Sequence, residues 1–413
     1  MIINRAYKVE LDPTNKQRTA FLKHAGVARF AFNWGLAEWN RLYELGESTD
    51  AMKLGKALNA VKKAEFPWMY EVSKCAPQEA LKDVEKAYKN FFFGIKANRK
   101  VGRPRFKSKH KSKQSWRISS GIMKAGSSWI WLPNIGKVRL KQKDYIPTDQ
   151  RIRHMIVSEL AGRWYVSVSF QQEMLEPTKP TGEIIGVDLG VKTLATCSDG
   201  TVYENPKALR AAKAKLRRLN KELSRRQKGS SNRRKTKQKL ARVHARVSNI
   251  RSDAIHKMTS DIVRTKRPSL IVIETLNVKG MTKNHKLAGA VLDASFSEVR
   301  RQLQYKCSWY GSGILLADQW FPSSKTCSKC DCIKDDLTLN DRTYKCKSCN
   351  NVIDRDLNAA LNLKKYGELE LTCTASSAGR ACGDGVRPAL TGATVRETGS
   401  KHQLTLAALV AGC

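Results

Sequence analysis

Residues 183–190 read Glu183-Ile184-Ile185-Gly186-Val187-Asp188-Leu189-Gly190, an apolar run that ends in one carboxylate and turns at a glycine. Such a run predicts a buried strand that carries a single Asp to one end of a sheet. Residues 191–197 are again apolar and β-branched, and a turn at 198–200 precedes Thr201-Val202-Tyr203. The three segments predict a meander of strands with Asp188 at the end of the first.

Asp-x-Gly at the end of a strand occurs in several classes of protein, so the motif alone decides little. Actin-like ATPases use it to bind phosphate, RNase H-like nucleases use it to bind metal, and in other proteins the Asp is structural. An actin-like ATPase needs a second phosphate-binding glycine loop, which we do not find in this sequence. The choice between the other two interpretations depends on the rest of the chain.

The charge of the chain indicates its partner. The 413 residues are enough for two or three domains, and they include 76 Lys and Arg against 37 Asp and Glu, a formal net charge of +39. A field of one sign this large repels itself unless a polyanion screens it. We therefore expect nucleic acid as the partner, rather than charge that serves solubility alone.

The sequence contains no segment with the apolar length of a membrane span. Residues 1–5 lack the apolar core and cleavage site of a signal peptide. We expect a cytoplasmic protein, in the prokaryotic cytosol or nucleoid, with no membrane partner. The 11 cysteines, four of them in two Cys-x-x-Cys pairs, favour a metal site and free thiols in a reducing compartment over a disulfide framework.

Strand and helix patterns divide the first 176 residues. Residues 1 to about 12 alternate as a strand, and helical spacing follows at 15–46, 53–63 and 78–97, where Gly94 suits a C-cap. Residues 98–114 form a basic loop that suits a phosphate backbone. A period of two then predicts strands at 129–132, 138–140, 154–157 and 164–170. With the first strand they could close a barrel, and residues 176–182 predict a linker.

Residues 206–266 are the most basic part of the chain and have helical periodicity. Apolar positions repeat at intervals of three and four: Leu209, Ala212, Leu216, Leu219 and Leu223, then Leu240, Val243, Val247, Ile250 and Ala254. A turn at residues 228–235 separates the two sets, so we expect an antiparallel helical hairpin with a structural apolar seam. Its Arg and Lys faces are either available to phosphates or simply solvated.

Two more carboxylates follow the pattern of Asp188. Residues 269–274 are an apolar strand that ends in Glu274, and parallel pairing with the first strand would bring Glu274 near Asp188. Asp354 can cap a helix whose first turn contains Asp356, where the helix dipole favours a carboxylate. Mg²⁺ prefers such oxygen ligands. Two Mg²⁺ ions about 4 Å apart can activate a water and stabilise the leaving oxygen in phosphodiester hydrolysis.

Four cysteines have the spacing of a zinc ribbon, C-x2-C-x15-C-x2-C. They are Cys327, Cys330, Cys346 and Cys349. Four thiolates suit one tetrahedral structural Zn²⁺, with a redox pair as the alternative. Asp331 and Asn350 follow the two pairs, where a left-handed residue is often needed, and both residue types tolerate that conformation. Cys332 is a spare thiol that could compete as a ligand.

Five motifs occur in a fixed order in the second half of the chain. They are Gly-Val-Asp-Leu-Gly (186–190), Ile-Val-Ile-Glu-Thr-Leu (271–276), Phe-Pro-Ser-Ser-Lys-Thr-Cys-Ser-Lys-Cys (321–330), Cys-Lys-Ser-Cys (346–349) and Asp-Arg-Asp-Leu-Asn-Ala-Ala-Leu-Asn (354–362). This order resembles the TnpB family, transposon-encoded RNA-guided DNA endonucleases related to the type V CRISPR effectors. Shorter matches at residues 28–33, 89–92 and 104–107 extend the resemblance over nearly the whole chain.

The resemblance implies a multidomain α/β fold. An RNase H-like RuvC nuclease domain is expected at residues 183–322 and 350–366, with the basic hairpin 206–266 inside it and a zinc ribbon inserted at 323–349. A wedge-like β-barrel domain is expected at 1–14 and 98–176, interrupted by a helical recognition domain at 15–97, with a linker at 177–182. The Ala-, Gly-, Ser- and Thr-rich composition of residues 367–413 predicts a disordered tail.

The resemblance also implies roles for particular residues and partners. Asp188, Glu274 and Asp356 are the expected catalytic ligands of Mg²⁺. A guide RNA from the transposon end and a double-stranded target DNA are the expected partners, with one protein chain per RNA. Lys74 and Gln78 match positions that help to read a short motif beside the target, and Arg342 is a candidate contact to the scissile phosphate.

Two other functions compete with a guided nuclease, in which base pairing would explain why no DNA-reading helix is evident. One is an RNA-guided DNA-binding repressor whose nuclease site is inactive, and the presence of all three acids argues against it. The other is a DNA transposase, but no His-hydrophobe-His motif with a catalytic Tyr stands out.

Overall fold

The computed structural model describes residues 1–338 and 341–376. Contacts divide them into two compact units. The first unit contains Met1–Glu176 and Ala208–Ile250, and the second contains Pro177–Lys207 and the described residues from Arg251 onwards. Over the described ranges, every helix is too short or too polar to cross a bilayer.

The first unit contains an antiparallel sheet and a set of helices. Its strands are β1 (Ile2–Asp12), β2 (Ser115–Ile118), β3 (Lys124–Ala125), β4 (Trp129–Leu132), β5 (Gly136–Leu140), β6 (Ile152–Leu160) and β7 (Arg163–Glu173). Its helices are α1 (Asn15–Glu44), α2 (Ala51–Glu65), α3 (Cys75–Lys96), α4 (Ala208–Arg225) and α5 (Ser231–Ser260), and the division between the units falls inside α5. The strand order is β2-β6-β7-β1-β5-β4-β3.

A cluster of aromatic rings joins α1 to this sheet. Phe21 of α1 lies 5.4 Å from Trp116 of β2 and 5.1 Å from Trp164 of β7, measured between ring centroids. All three side chains are buried. Burial of this much aromatic surface supplies a large share of the hydrophobic stabilisation of a core. Thr14 begins α1 with a capping box to Gln17, which fixes where strand β1 turns into the helix.

The end of α3 differs from the sequence prediction. The helix continues to Lys96, and Asn98 has the left-handed conformation (φ 51°) expected after a C-terminus. The prediction of a C-cap at Gly94 is therefore wrong. A Cβ on Gly94 would lie 2.6 Å from Cγ1 of Val101, so this glycine is required by side-chain packing and not by backbone conformation.

Helices α4 and α5 form the predicted hairpin, joined by residues 226–230. Leu216, Leu219 and Val247 of the predicted seam are buried, but Ile250 is 39% exposed. The seam prediction is therefore wrong at Ile250, the last residue of the first unit. Buried positions resume at Ile255, in the core of the second unit. A five-residue π-helix, Asp261–Thr265, follows α5.

The second unit is a mixed α/β layer structure. Its strands are β8 (Ile185–Leu189), β9 (Thr193–Cys197), β10 (Val202–Glu204), β11 (Leu270–Glu274) and β12 (Gly313–Ala317), with a separate hairpin of β13 (Thr343–Lys345) and β14 (Val352–Asp354). Its helices are α6 (Val278–Met281), α7 (His285–Ala294), α8 (Phe296–Tyr310) and α9 (Arg355–Ser376). The sheet order is β10-β9-β8-β11-β12. The predicted parallel pairing of β8 and β11 is confirmed.

Helix α9 lies on the β8 and β11 face of this sheet. Its Leu363 is buried against Leu270 and Val272. Gly367 lets the helix approach β11 closely, because a Cβ there would lie 2.6 Å from Cγ2 of Val272. The disordered tail predicted from residue 367 is therefore wrong for residues 367–376, which extend α9. The rest of that predicted tail lies outside the described residues.

Candidate functional site

Strands β8 and β11 carry Asp188 and Glu274 to the same end of the sheet. In their parallel register Val187 is opposite Ile273, so each acid is the next residue along its strand. Parallel strands end at a common edge, where functional side chains in such sheets usually collect. Both carboxylates are only partly exposed to solvent.

Helix α9 adds Asp356 to this edge. Asp354 caps the helix through its Oδ1, which accepts from the amides of Asp356 (2.9 Å) and Leu357 (3.1 Å), as the sequence predicts. Gly186 is the point of close approach, because a Cβ there would lie 2.0 Å from the carbonyl oxygen of Ala360. Asp188 is two residues after Gly186 along the strand, and Asp356 is four residues before Ala360 along the helix. Each acid is therefore roughly 6 to 7 Å from the point where strand and helix touch. The close approach at Gly186 places both acids at the same edge of the sheet.

The raised pKa values of Asp188 and Glu274 indicate that a bound cation would stabilise their charged forms. Burial raises the pKa of Asp188 well above its ordinary value, and the charges of Glu274 and Asp356 raise it further. Burial also raises the pKa of Glu274, against a lowering hydrogen bond from Ser323. Arg355 is the adjacent cation, with its Nη2 3.5 Å from Oδ1 of Asp356. Partly buried carboxylate oxygens that repel each other are a donor set suited to a hard divalent cation.

The loop at Ser323, part of the motif at residues 321–330, holds this edge in place through contacts that the sequence did not predict. Ser323 donates a hydrogen bond to Oε1 of Glu274. Asn362 of α9 donates from Nδ2 to the carbonyl oxygens of Ser323 and Thr326, each at 2.7 Å. Asn358 donates to the same Thr326 oxygen at 2.7 Å and accepts from the amide of Ser328 at 2.9 Å. Two asparagines four residues apart on an otherwise apolar helix face were the available signal, because buried amides need partners.

The four predicted zinc ligands form one group. Their sulfur atoms all lie within 4.8 Å of one another, with Sγ of Cys327 3.7 Å from Sγ of Cys349 and Sγ of Cys330 3.5 Å from Sγ of Cys346. Within residues 1–338 and 341–376 no other group of three or more His, Cys, Asp or Glu ligand atoms is this compact. The oxygen atoms of the three carboxylates are therefore more widely spread than the sulfurs. The cluster is compatible with a structural zinc ion.

The turns after each Cys-x-x-Cys pair have the predicted backbone. Asp331 (φ 59°) and Asn350 (φ 55°) are both left-handed. The carbonyl oxygen of Cys332 accepts from the amide of Cys327 at 2.9 Å. Its thiol forms a hydrogen bond with Cys346 but is not one of the four sulfurs that all lie within 4.8 Å of one another. The backbone amide of Cys349 lowers the pKa of Cys346 to about 6. At neutral pH that sulfur is mostly a thiolate, the form that binds metal.

The structure places the other three candidate residues in different settings. Lys74 precedes α3 and Gln78 lies in its first turn, and both line a groove of about 470 Å³ in the first unit that also contains Lys56 and Asn59. Arg342 precedes β13, and its carbonyl oxygen accepts from the amide of Arg355 at 2.8 Å. Lys74 and Gln78 are thus brought together, and the backbone of Arg342 lies next to the start of α9.

Comparison with solved structures shows which fold the chain has. The chain is similar in fold to Cas12f1 in the cryo-EM structure of the Cas12f1-sgRNA-target DNA complex, with a TM-score of 0.55 and 14% identity over 88% of this chain and 99% of that chain. The protein is therefore an α/β protein with a Cas12f-type fold. A family model described as "Cas12f1-like, TNB domain" matches residues 296–363, which contain the cysteine cluster.

Sequence relatives define the family. A protein of Streptomyces pristinaespiralis described as "Putative RNA-guided DNA endonuclease" is 34% identical over 94% of this chain and 92% of its own length. A relative from Escherichia coli K12 with the same description and the name InsQ is 32% identical over 89% of this chain and 94% of its own. The OrfB_IS605 model, described as "Probable transposase", matches residues 165–285. The chain belongs to this TnpB (OrfB of IS605) family.

One family model carries a description that differs from the structure. The model "Helix-turn-helix domain" matches residues 1–48. Those residues form strand β1 and the single 30-residue helix α1. The segment is therefore a strand and a long helix of one core, and its match marks family membership.

Proposed function

We propose that the protein is an RNA-guided DNA endonuclease encoded by a transposon, which cleaves DNA complementary to a bound guide RNA. The observation that carries the proposal is the meeting of Asp188, Glu274 and Asp356 at one edge of an α/β sheet, in a member of this family. In the proposal residues 183–322 and 350–366 form a RuvC-type nuclease domain with the zinc ribbon inserted at 323–349, although contacts group residues 208–250 of the basic hairpin with the first unit. The sheet of the first unit is the wedge-like β-barrel domain, and its α1–α3 region is the helical recognition domain.

The three carboxylates fit divalent metal by their chemistry. They are partly buried oxygen donors, and burial together with their mutual repulsion raises the pKa of Asp188. In the proposal they hold two Mg²⁺ ions, which supply Lewis-acid activation of a water and stabilisation of the leaving oxygen. The chain itself orients the donors. Ser323 donates to Glu274, and Thr193 Oγ1 donates to Oδ2 of Asp356 at 3.5 Å.

The cysteine cluster would hold one structural Zn²⁺. Four sulfur ligands and left-handed turns after each pair match the donor set of a closed site, which has no open position for substrate. The module is connected to the carboxylates through the loop at Ser323 and through α9, on which Asp356 lies. Its proposed role is to hold that loop in place while the DNA is handled.

The charge of the chain supports the proposed partners. A net charge of +39 suits a guide RNA from the transposon end together with a double-stranded target DNA. Lys74 and Gln78, in one groove, are the proposed readers of the short flanking motif. Arg342 is proposed to contact the scissile phosphate. We propose one chain per RNA, acting in the prokaryotic cytosol or nucleoid.

The test is to express the protein together with its native flanking DNA, purify it at moderate salt and sequence the RNA that copurifies. We expect one discrete RNA with a constant scaffold and a variable end. Changing the variable end should then redirect cleavage to a new DNA in the presence of Mg²⁺. Heterogeneous cellular RNA, or cleavage that ignores the variable end, would contradict the guided function and favour a transposase.

A further inference from the structure

Trp320 is the most exposed aromatic side chain among the described residues, with 82% of its surface accessible. An indole ring has a large apolar face, so leaving it in water forgoes the stabilisation that burial would provide. A single exposed aromatic side chain needs no explanation by itself. Trp320 differs because its loop is connected to the carboxylate edge. The position and the exposure together point to a ligand.

Both ends of the Trp320 loop are tied to Glu274. Ala317, the last residue of β12, is opposite Glu274 in the parallel register, and its carbonyl oxygen accepts from Oγ1 of Thr275 at 2.7 Å. Ser323, on the other side, donates directly to Glu274. Trp320 is three residues from each of these anchors, so its Cα lies within about 11 Å of both.

Hydrogen bonds and packing fix the conformation of this loop. The amide of Trp320 donates to Oδ1 of Asp318 at 2.7 Å, and the amide of Phe321 donates to the carbonyl oxygen of Asp318 at 3.2 Å. The Phe321 ring packs on Tyr366 of α9, with 4.8 Å between centroids. Phe321 is thus half-buried against α9, while the neighbouring indole of Trp320 stays exposed.

We propose that Trp320 is a base-stacking residue that positions the DNA strand being cut. The inference rests on the proposed nuclease function and names a residue that acts at the same edge. An exposed indole accepts any base without hydrogen-bond readout, as required if the guide RNA determines the sequence. Both anchors of the loop lie at the carboxylate edge, so the proposal places the stacked base among the nucleotides that flank the scissile phosphate.

The first test compares variants of Trp320 in single-turnover cleavage of a guided target. Trp320→Ala and Trp320→Leu should each slow cleavage about 5- to 100-fold, the typical loss of one stacked base. Trp320→Phe should stay within about threefold, because it keeps an aromatic face. Leu369→Ala removes an exposed apolar side chain of α9 (65% exposed) and should leave the rate unchanged. Equal rates for the Ala and Phe variants would overturn the stacking role.

The second test alters the DNA and compares the wild-type protein with Trp320→Ala. Single abasic sites are placed at each of the nucleotides flanking the cut. At one position the wild-type rate should fall to that of Trp320→Ala, and the variant should lose nothing more there, because the ring and the base form one interaction. Additive losses at every position would refute the inference.

The two tests separate this inference from the function on which it depends. Wild-type protein that fails to cleave any guided target would refute the proposed function. Wild-type cleavage combined with an unchanged rate in Trp320→Ala would refute the stacking role alone. Guide RNA retention and zinc content of each variant show that it is folded.

Discussion

The carboxylate centre (Asp188, Glu274, Asp356) and the cysteine centre (Cys327, Cys330, Cys346, Cys349) are both groups of anionic ligands in the second unit, but the chain builds them differently. Each Cys-x-x-Cys turn places two sulfurs through its own backbone, with a left-handed residue after the pair. The carboxylates come from two strands and a helix far apart in sequence. They meet only through strand register and the close packing of α9 on Gly186.

Negative charges repel each other in both centres, but the cysteine centre has backbone donors that favour part of its charge. A backbone amide lowers the pKa of Cys346 to about 6. At Cys349 the backbone of Asn351 also lowers the pKa, but hydrogen bonds with the other three cysteines raise it to about 12, so four thiolates together need a cation. Burial and neighbouring acids raise the pKa of Asp188. The carboxylate centre therefore stores unfavourable interactions that a cation can relieve, which is the usual compromise between stability and activity at a working site.

Asp188→Asn should have the largest effect. It keeps the size of the side chain but removes an anionic oxygen ligand, so guided cleavage should fall about 10³-fold or more. Retention of guide RNA and binding of target DNA should be unchanged, because no positive charge is removed. Single-turnover cleavage and a filter-binding assay measure the two quantities. A variant that cleaves at the wild-type rate in Mg²⁺ would eliminate Asp188 as a ligand.

The same variant tests whether the carboxylate centre is unfavourable without metal. The pKa of Asp188 is higher in the folded protein than in the unfolded chain. Its contribution to stability is therefore present at low pH and is lost as pH rises through the folded pKa. In EDTA, Asp188→Asn should raise the thermal midpoint at neutral pH, and this advantage should shrink as the pH is lowered. If the thermal midpoint of Asp188→Asn in EDTA at pH 7 is below that of the wild type, the carboxylate centre is not unfavourable without metal.

Gly186→Ala should separate the carboxylates while leaving the cysteine centre intact. The added methyl would meet the carbonyl oxygen of Ala360 at 2.0 Å and the amide nitrogen of Lys364 at 2.5 Å, so α9 must shift. A displacement of about 1 Å at a catalytic group costs about 100-fold in rate. Overpacking should lower the free energy of unfolding by about 1–3 kcal/mol.

A matched variant controls for the added methyl. Gly289 of α7 has open space around a Cβ, so Gly289→Ala should keep the wild-type cleavage rate and not lower the thermal midpoint. Metal analysis should find the same zinc content in both glycine variants. Loss of zinc in Gly186→Ala would show that the shift of α9 also disrupts the cysteine centre.

Cys346→Ser should act on the other centre, with a smaller effect on cleavage of about tenfold. It removes the sulfur whose thiolate is most favoured, so the bound zinc should fall from one per chain to none. Cleavage suffers indirectly, through the loop at Ser323. Cys332→Ser is the control, and it should retain zinc because its thiol lies outside the four-sulfur group. Elemental analysis after dialysis distinguishes the variants.

The same contrast explains what the sequence could predict. The clustering of the four cysteines, the left-handed Asp331 and Asn350 and the cap at Asp354 follow from local spacing and are all present in the structure. The pairing of β8 with β11 was predictable because two apolar strands each end in an acid. Local patterns and their immediate consequences were therefore sufficient for these features.

Features that depend on distant packing were missed. Gly94 is required by Val101 and Gly367 by Val272, and neither contact has a signal at the glycine itself. The motifs at 321–330 and 354–362 contain Ser323, Asn358 and Asn362, but the hydrogen bonds between the two motifs depend on how α9 lies across the sheet. Ile250 is exposed although it continues a helical repeat, and the sequence carries no sign that the first unit ends at this residue.

Ser323→Ala should have the smallest effect on cleavage, and it tests how the carboxylate centre positions Glu274. It removes the one hydrogen bond that lowers the pKa of Glu274, so that pKa should rise further and metal should compete less well with protons. Loss of such an orienting partner typically weakens metal affinity about 10-fold. Titration of cleavage with Mg²⁺ should shift to higher concentration by about that factor, with a nearly normal rate at saturation. Ser324→Ala, one residue along the same loop, should leave the titration unchanged. A lower rate at saturating Mg²⁺ would instead show that the hydroxyl acts on the substrate, and Glu274 would then be positioned by its strand alone.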